Sequence, residues 1–279
     1  MNYSQKNKQI IEKTITQSMP DFKNLFSGKE LDKVIKKYLN RVNAIPLGCN
    51  DAIKSSCLID LIICSIGENE TAKANKETIK GINTEIKKAL TYCNNHPSLM
   101  KKVKDTIKKS FSEMDANIAK PNSAFKNWVN ELFVFNLLAG WDGYEIVDIE
   151  RPLGNGKSCD FVCRNSNGDE IWFEVKTIQG LVPCKQDDST TMNEFINERV
   201  MNEFEKKTCG ILANNIPNIR IIPVVEYVDG LEKFDILLNS NISTEPFAIM
   251  KNNIDGVVRV ELRPLNGYLA KLRNQQVKF

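Results

Sequence analysis

The chain has 279 residues, of which 42% are hydrophobic and 26% charged, and its formal net charge is +3. This composition is typical of a soluble globular protein with one large or two modest domains. Its eight cysteines form no Cys-x-x-Cys pair, and the single histidine, His96, lies in a turn-like Asn-Asn-His-Pro segment. The pattern argues against a zinc site of the usual spacing and against Cys–His catalysis.

No signal peptide is recognisable at the N-terminus, where polar residues predominate. The most apolar segment, residues 57–66, is too short to span a bilayer and contains Asp60. It is predicted to form a buried helix. Scattered cysteines without a pairing pattern are typical of free thiols in a reducing compartment. We therefore expect a cytoplasmic protein with no membrane partner.

Residues 1–120 are predicted to form an all-helical N-terminal domain. Apolar residues at helical spacing predict helices at Gln5–Gln17, Glu30–Val42, Asp51–Ile66, Thr71–Tyr92 and Ser98–Ile118. This half carries 21 Lys/Arg against 13 Asp/Glu, whereas residues 121–279 carry 17 against 22. A basic half fits a polyanionic partner, although an ordinary lysine-rich helix surface explains the same excess. Its role is open between substrate binding, dimerisation and the docking of a protein partner.

The second domain is predicted to span residues 121–279 and to begin with a helix at residues 128–138. This helix is apolar nearly all round and is therefore expected to be buried. Glu131 lies within it, and a buried carboxylate is costly without a partner. Hydrogen bonds to Asn127 or Asn130 are one way to satisfy it. A strand at residues 144–149 is predicted to follow.

Two further strands, at residues 158–164 and 170–177, flank a strong hairpin sequence. We predict a three-residue loop, a type I turn closed by Gly168 in the left-handed conformation, which pairs Asn165 with Asp169. A two-residue Asn-Gly loop would shift the register by one residue and move every side chain of one strand to the other face.

The predicted register sets Asp160 opposite Glu174. Since side chains alternate along a strand, Glu174 and Lys176 share that face with Trp172. Two carboxylates a few ångströms apart repel each other unless a cation lies between them. Lys176 supplies one positive charge, and a hard divalent cation with oxygen ligands fits the pair better.

The order of these elements resembles the PD-(D/E)xK nuclease superfamily, whose fold is that of restriction endonucleases: a helix with Glu131, a strand, a strand with Asp160, a hairpin and a strand with Glu174-x-Lys176. The resemblance covers residues 122–227, under half of the chain. Cys159 stands where the motif's name has proline, a position that is loose in the superfamily.

The resemblance implies a role for each matching residue. Asp160 and Glu174 would hold Mg²⁺, which Mn²⁺ can replace, and the backbone carbonyl of Val175 would be a further ligand. Glu131 would join the metal site directly or through water. Lys176 would orient or activate the attacking water.

A polar stretch, residues 179–190, follows the predicted site. Gln179 and Lys185 within it are candidate substrate contacts, and ordinary loop residues would look the same. A helix near Thr191 and a strand at residues 219–228 complete a strand–helix–strand unit. The second domain is thus predicted to be an α/β domain with a mixed, helix-flanked sheet of the restriction-endonuclease-like type.

The resemblance implies a Mg²⁺-dependent nuclease that hydrolyses phosphodiester bonds, with DNA favoured over RNA as the substrate, and it fits a role in restriction or anti-phage defence. A homodimer, or a protein activator docking through the helical domain, fits the same sequence. Two alternatives stay open. One is a nucleic-acid or protein interaction module that retains the fold without cutting, and the other is a nuclease that is silent without its partner.

Overall fold

The structure is a computed structural model that describes residues 3–43, 58–112, 124–179, 189–226, 260–261 and 271–272. These residues divide into two compact units, the first ending at Leu132 and the second beginning at Phe133. The predicted domain boundary between residues 120 and 121 lies outside the described residues. Each unit is treated by itself below.

The first unit is helical in its described part. Its helices are α1 (Tyr3–Ser18), α2 (Pro20–Lys23), α3 (Gly28–Asn43), α4 (Leu58–Cys64), α5 (Glu70–Asn95) and α6 (Pro97–Ser112). A seventh helix, α7 (Ala124–Ala139), contains the point of division between the units. The predicted helices correspond to α1 and α3 to α6 where residues are described, whereas the four-residue α2 was not predicted.

Side-chain caps and an aromatic cluster hold the first unit together. Ser27 and Glu30 form a reciprocal capping box at the start of α3, with the Glu30 carboxylate accepting the Ser27 N–H at 2.8 Å. Phe22 packs against Phe111 with ring centroids 4.8 Å apart. Both rings are fully buried, so this contact joins α2 to α6 in the core.

The N-terminal half was predicted to carry a basic excess, and two of its lysines, on α6, have partners within the protein. Lys108 pairs with Glu30 at 3.0 Å, and the Lys109 ammonium lies 4.9 Å from the ring centroid of Trp128. Part of the positive charge of α6 therefore interacts with other residues of the protein. Within the described residues, no helix combines the length and the apolar character needed to cross a membrane.

The second unit is built on a mixed four-stranded sheet with the order β1-β2-β3-β4. Its strands are β1 (Tyr144–Pro152), β2 (Ser158–Asn165), β3 (Glu170–Gln179) and β4 (Ile219–Glu226). The first three strands are antiparallel, whereas β3 and β4 are parallel and are connected through α8 (Ser189–Thr208). Two-residue strands β5 (Val260–Glu261) and β6 (Lys271–Leu272) pair separately. The predicted α/β class with a mixed sheet is confirmed.

The two faces of this sheet contact different elements. Phe161 on β2 packs against Phe135 of α7, with ring centroids 6.0 Å apart. The neighbouring residue Asp160 must face the other way because side chains alternate along a strand. On β3, Lys176 forms an ion pair with Glu203 of α8. The apolar face is therefore turned to α7 and the charged face to α8.

The β2–β3 hairpin has the predicted register. Phe161 pairs with Phe173 and Arg164 with Glu170, and the Asn165 N–H is donated to the Asp169 carbonyl at 3.0 Å. Gly168 has a φ of +88°, the left-handed conformation that this loop requires. The three-residue loop is confirmed, and it sets Asp160 and Glu174 at opposing positions of the two strands.

Candidate active site

The site is centred where the hydrogen-bond ladder between β2 and β3 ends. Trp172 donates its N–H towards β4, to the Asn218 carbonyl at 2.8 Å, so Val175, three residues on, directs its N–H towards β2. That N–H is donated to the carboxylate of Asp160, Oδ2, at 2.7 Å. In an extended strand the carbonyl of a residue points to the same edge as its N–H. The Val175 carbonyl therefore faces the side on which Asp160 lies.

Glu174 is the buried acid of the pair, with only 5% of its surface exposed. Its Oε1 accepts from Lys207 at 2.8 Å. Its Oε2 is fully buried and has no hydrogen-bond partner among the described residues. A buried carboxylate oxygen without a donor is costly, and it is the kind of oxygen that a cation would stabilise.

Burial raises the pKa values of both carboxyl groups. Burial raises the pKa of Glu174 to about 8, and the charge of Asp160 adds to this effect against the opposing influence of Lys207. Burial raises the pKa of Asp160 to about 6, although the Val175 N–H and the charge of Lys207 act to lower it. Two acids that interact in this way titrate as a pair.

Lys176 lies on the same face of β3 as Glu174 and is held by α8. Its Nζ is 2.5 Å from Oε2 of Glu203, whose other oxygen is 3.2 Å from Lys206. Glu203 is 5% exposed. Burial alone would raise the pKa of Glu203, but hydrogen bonds and charges from Lys176 and Lys206 outweigh it and lower that pKa.

Two neighbouring ion pairs, Glu174–Lys207 and Lys176–Glu203, join β3 to α8. Glu174 and Lys176 are two residues apart on a strand, a separation of about 6.6 Å. Their partners Lys207 and Glu203 are four residues apart on a helix, a rise of about 6 Å. The spacings match, so both ion pairs form side by side with their charges reversed. α8 accordingly runs antiparallel to β3, as a crossover to the parallel strand β4 requires.

Sequence reasoning did not assign Glu203 and Lys207 to the site. A usable indication was present in the sequence, because Glu203-x-x-x-Lys207 places two opposite charges on one helix face. The strand pair Glu174-x-Lys176 offers the complementary charges at nearly the same distance.

The last turn of α8 is fixed by the loop between β1 and β2. Nδ2 of Asn155 donates to the carbonyls of Lys207 and Cys209, each at 2.8 Å, and Lys157 Nζ donates to the carbonyl of Lys206. These contacts satisfy carbonyls that the helix itself cannot pair. Lys207 Nζ donates to the Ser158 carbonyl at 2.8 Å. The loop thereby positions the turn that carries Lys207.

A second charged cluster borders the site. Arg151 pairs with Asp148 at 2.9 Å and with Glu170 at 2.5 Å, and its guanidinium lies 5.2 Å from the ring centroid of Trp172. The preceding residue, Glu150, has a φ of +51°, the only positive φ among the described non-glycine residues. Its charge acts to raise the pKa of Asp160, so Glu150 is a further acid near the site that the sequence did not indicate.

The remaining predicted site residues are placed as follows. Glu131 lies half-buried in α7, within the first unit, and its part in the site stays a prediction. Gln179 is the last residue of β3 and pairs with Glu226 of β4. The side chain of Gln179 and the whole of Lys185 lie outside the described residues, so both stay predictions as substrate contacts.

The residues present suit a hard divalent cation. No group of three or more His, Cys, Asp or Glu side chains among the described residues is arranged to hold a metal ion. Mg²⁺ does not require such a group, since it is commonly bound through one or two carboxylates together with waters and substrate phosphate. Asp160, Glu174 with its unpartnered Oε2, and the carbonyl of Val175 offer this oxygen-only set.

Comparison with known proteins adds little. No family model and no curated protein matches the chain. Among solved structures, that of Pyrococcus furiosus SfsA in complex with Ca²⁺ is similar to 53% of this chain, with 14% sequence identity and a TM-score of 0.23. The similar region spans 61% of that structure's own length. A TM-score below 0.5 does not establish a common fold.

Proposed function

We propose that this protein is a metal-dependent nuclease of the PD-(D/E)xK type that hydrolyses phosphodiester bonds, with DNA as the preferred substrate. The observation that carries the proposal is the pairing of Asp160 with Glu174 at the end of the β2–β3 ladder, beside Lys176. The pair is buried, its pKa values are raised, and one carboxylate oxygen has no donor among the described residues. Mg²⁺ would be held by these two acids and the Val175 carbonyl, and Mn²⁺ could replace it.

Each group of the chain has a separate task in this reaction. When bound, the metal supplies charge neutralisation of the phosphate and a lowered pKa for a coordinated water. The Val175 N–H fixes the carboxylate of Asp160, and burial restricts the side chain of Glu174. Lys176 Nζ, on the same strand face as Glu174, orients the attacking water. Glu203 in turn limits the positions that Lys176 can adopt, because it holds Nζ at 2.5 Å.

The test is cleavage of single- and double-stranded DNA, linear and circular, and of RNA, in Mg²⁺, Mn²⁺ or EDTA. We expect cutting that needs the metal and falls at least about a hundredfold in Asp160→Asn, Glu174→Gln and Lys176→Met. Glu205→Gln removes an exposed carboxylate from α8 and serves as the matched control. The proposal fails if folded Asp160→Ala and Lys176→Ala variants cleave as well as wild type.

A second candidate is an interaction module that retains the site but does not cut. It is favoured by one observation: Glu174, Lys176, Glu203 and Lys207 already form ion pairs with each other. Calorimetric titration with Mg²⁺ and Mn²⁺ separates the two. Binding that is lost in Glu174→Gln favours the nuclease, whereas nucleic-acid binding without any metal uptake favours the module.

The biological setting is a further part of the proposal. The presence of a helical unit in the same chain suits restriction or anti-phage defence, in which a partner or a second copy of the chain controls cutting. A chain that binds Mg²⁺ at Asp160 and Glu174 but cuts only after addition of a co-purifying protein would support this control. Full activity of the isolated monomer on plain DNA would contradict it.

A further inference from the structure

Lys207 forms an ion pair with Glu174, one of the two proposed metal-binding acids. Its Nζ lies 2.8 Å from Oε1 of Glu174 and 2.8 Å from the Ser158 carbonyl, and only 15% of its side chain is exposed. Lys176 is the lysine that the sequence motif singles out, yet it is paired with Glu203. The site thus contains two lysines in different situations, one held by a helix acid and one by a metal-binding acid.

Each of these two lysines is the counter-ion of one acid in the absence of a metal. Lys207 pairs with Glu174 and Lys176 pairs with Glu203. A divalent cation at Asp160 and Glu174 would add two positive charges next to the Lys207 ammonium. Like charges at this distance repel each other strongly in a buried setting. This repulsion would offset the favourable ion pair between Lys207 and Glu174.

A displaced Lys207 has a new acceptor in the substrate. An ammonium group offers three N–H donors on a flexible four-carbon stem, and phosphate oxygens accept charge-assisted hydrogen bonds well. Asn155 binds the backbone carbonyls of Lys207 and Cys209, so the Lys207 side chain can turn away from Glu174 while its backbone stays fixed.

We propose that Lys207 is a second active-site lysine, which exchanges Glu174 for a phosphate oxygen of the nucleic acid when a divalent cation binds the acids. This inference rests on the proposed function. It predicts opposite changes in two affinities of Lys207→Met. The affinity for Mg²⁺ should rise because removal of the ammonium frees Glu174 for the metal, and the affinity for DNA should fall because a phosphate contact is lost.

The first measurement is Mg²⁺ binding to the full chain without nucleic acid, by isothermal titration calorimetry. We expect Lys207→Met to bind Mg²⁺ about tenfold more tightly than wild type. The second measurement is fluorescence anisotropy of a labelled DNA duplex in Ca²⁺, with gel analysis to show that the duplex stays intact. There we expect Lys207→Met to bind DNA about tenfold more weakly.

Two further variants make the test specific. Lys206→Met removes a neighbouring, 64% exposed lysine of the same helix and should change neither affinity by more than about twofold. Lys207→Arg keeps the positive charge and should bind DNA within a few-fold of wild type. If Lys207→Met does not fold, as judged by circular dichroism, Lys207→Gln replaces it in both measurements.

The outcomes separate this inference from the proposed function. If wild type binds neither Mg²⁺ nor Ca²⁺, the metal site and this inference fail together. If wild type binds Mg²⁺ but the variant weakens both affinities or leaves both unchanged, Lys207 has only a structural role and this inference alone is overturned. Tighter metal binding together with weaker DNA binding supports it.

Discussion

Lys176 and Glu203 form a 2.5 Å ion pair that connects the centre of the sheet to the helix crossing it. The carboxylate of Glu203 is nearly inaccessible to solvent, whereas a third of the Lys176 side chain is exposed. Glu203 also reaches Lys206 at 3.2 Å. One buried acid therefore holds two lysines, of which one belongs to the proposed catalytic set.

Glu203→Gln should lower the free energy of unfolding by about 2 kcal/mol, since it removes a charged hydrogen-bond partner in a largely buried position. Urea denaturation at pH 7 measures the change. Lys206→Met is the matched control and should cost less than about 0.5 kcal/mol because Lys206 is exposed. Equal losses in the two variants would show that the Lys176 contact contributes nothing.

The buried acid pair should make stability depend on pH. The folded pKa values of Asp160 and Glu174 lie above their usual values, so the folded state binds more protons than the unfolded state between about pH 4 and pH 8. The free energy of unfolding must then fall as pH rises through this range. A shift of one pKa unit corresponds to about 1.4 kcal/mol, so a loss of a few kcal/mol is expected.

Glu174→Gln should make the free energy of unfolding depend less on pH. Between pH 5 and pH 8 its free energy of unfolding should exceed that of wild type by at least about 1 kcal/mol. Urea denaturation in EDTA at several pH values measures both curves. Glu205→Gln controls for the loss of one negative charge at an exposed position. A parallel course of the Glu174→Gln and wild-type curves would contradict the raised pKa of the pair.

Gly168 is required by the hairpin loop that sets the register of the site. Its φ of +88° is unfavourable for a residue with a side chain, although a Cβ there would meet no atom within 4 Å. Gly168→Ala should therefore destabilise the protein by about 1–2 kcal/mol through backbone conformation alone. Gly28→Ala, where a Cβ also has open space and φ is not positive, should be neutral or slightly stabilising in the same thermal melts. Similar melting temperatures for both variants would count against the assigned loop.

The hairpin was predictable because its geometry is local. A single glycine at the end of a short turn decides the register, and the register decides which side chains oppose each other. The position of Asp160 opposite Glu174 therefore follows from five consecutive residues. The elements of the first unit were predictable for a similar reason, since helical periodicity is a property of neighbouring residues.

The contribution of α8 was not predictable from local pattern. Glu203 lies 27 residues beyond Lys176 and reaches it only because the chain crosses back over the sheet. The unpartnered Oε2 of Glu174 likewise depends on what surrounds it in three dimensions. The left-handed backbone at Glu150 has no residue-type indication either, since such a φ normally favours glycine, asparagine or aspartate.

Asn155 should matter for both the stability and the site, because it caps the turn of α8 that carries Lys207. Its Nδ2 donates to the carbonyls of Lys207 and Cys209 at 2.8 Å, and its Oδ1 accepts the Lys157 N–H at 3.2 Å. Asn155→Ala should lower the free energy of unfolding by about 1–2 kcal/mol. Asn214→Ala, at an exposed position, should change it by less than about 0.5 kcal/mol in the same urea titrations.

The Asn155→Ala variant also tests whether α8 positions Lys207 through this loop. With the cap lost, the last turn of the helix frays, and hydrogen exchange at the amides of residues 206–209 should become faster relative to the rest of α8. Because Lys207 contacts both the Ser158 carbonyl and Glu174, Mg²⁺ affinity should change in the direction expected for Lys207→Met. Faster exchange with unchanged Mg²⁺ affinity would show that Asn155 caps the helix but does not affect metal binding by the acid pair.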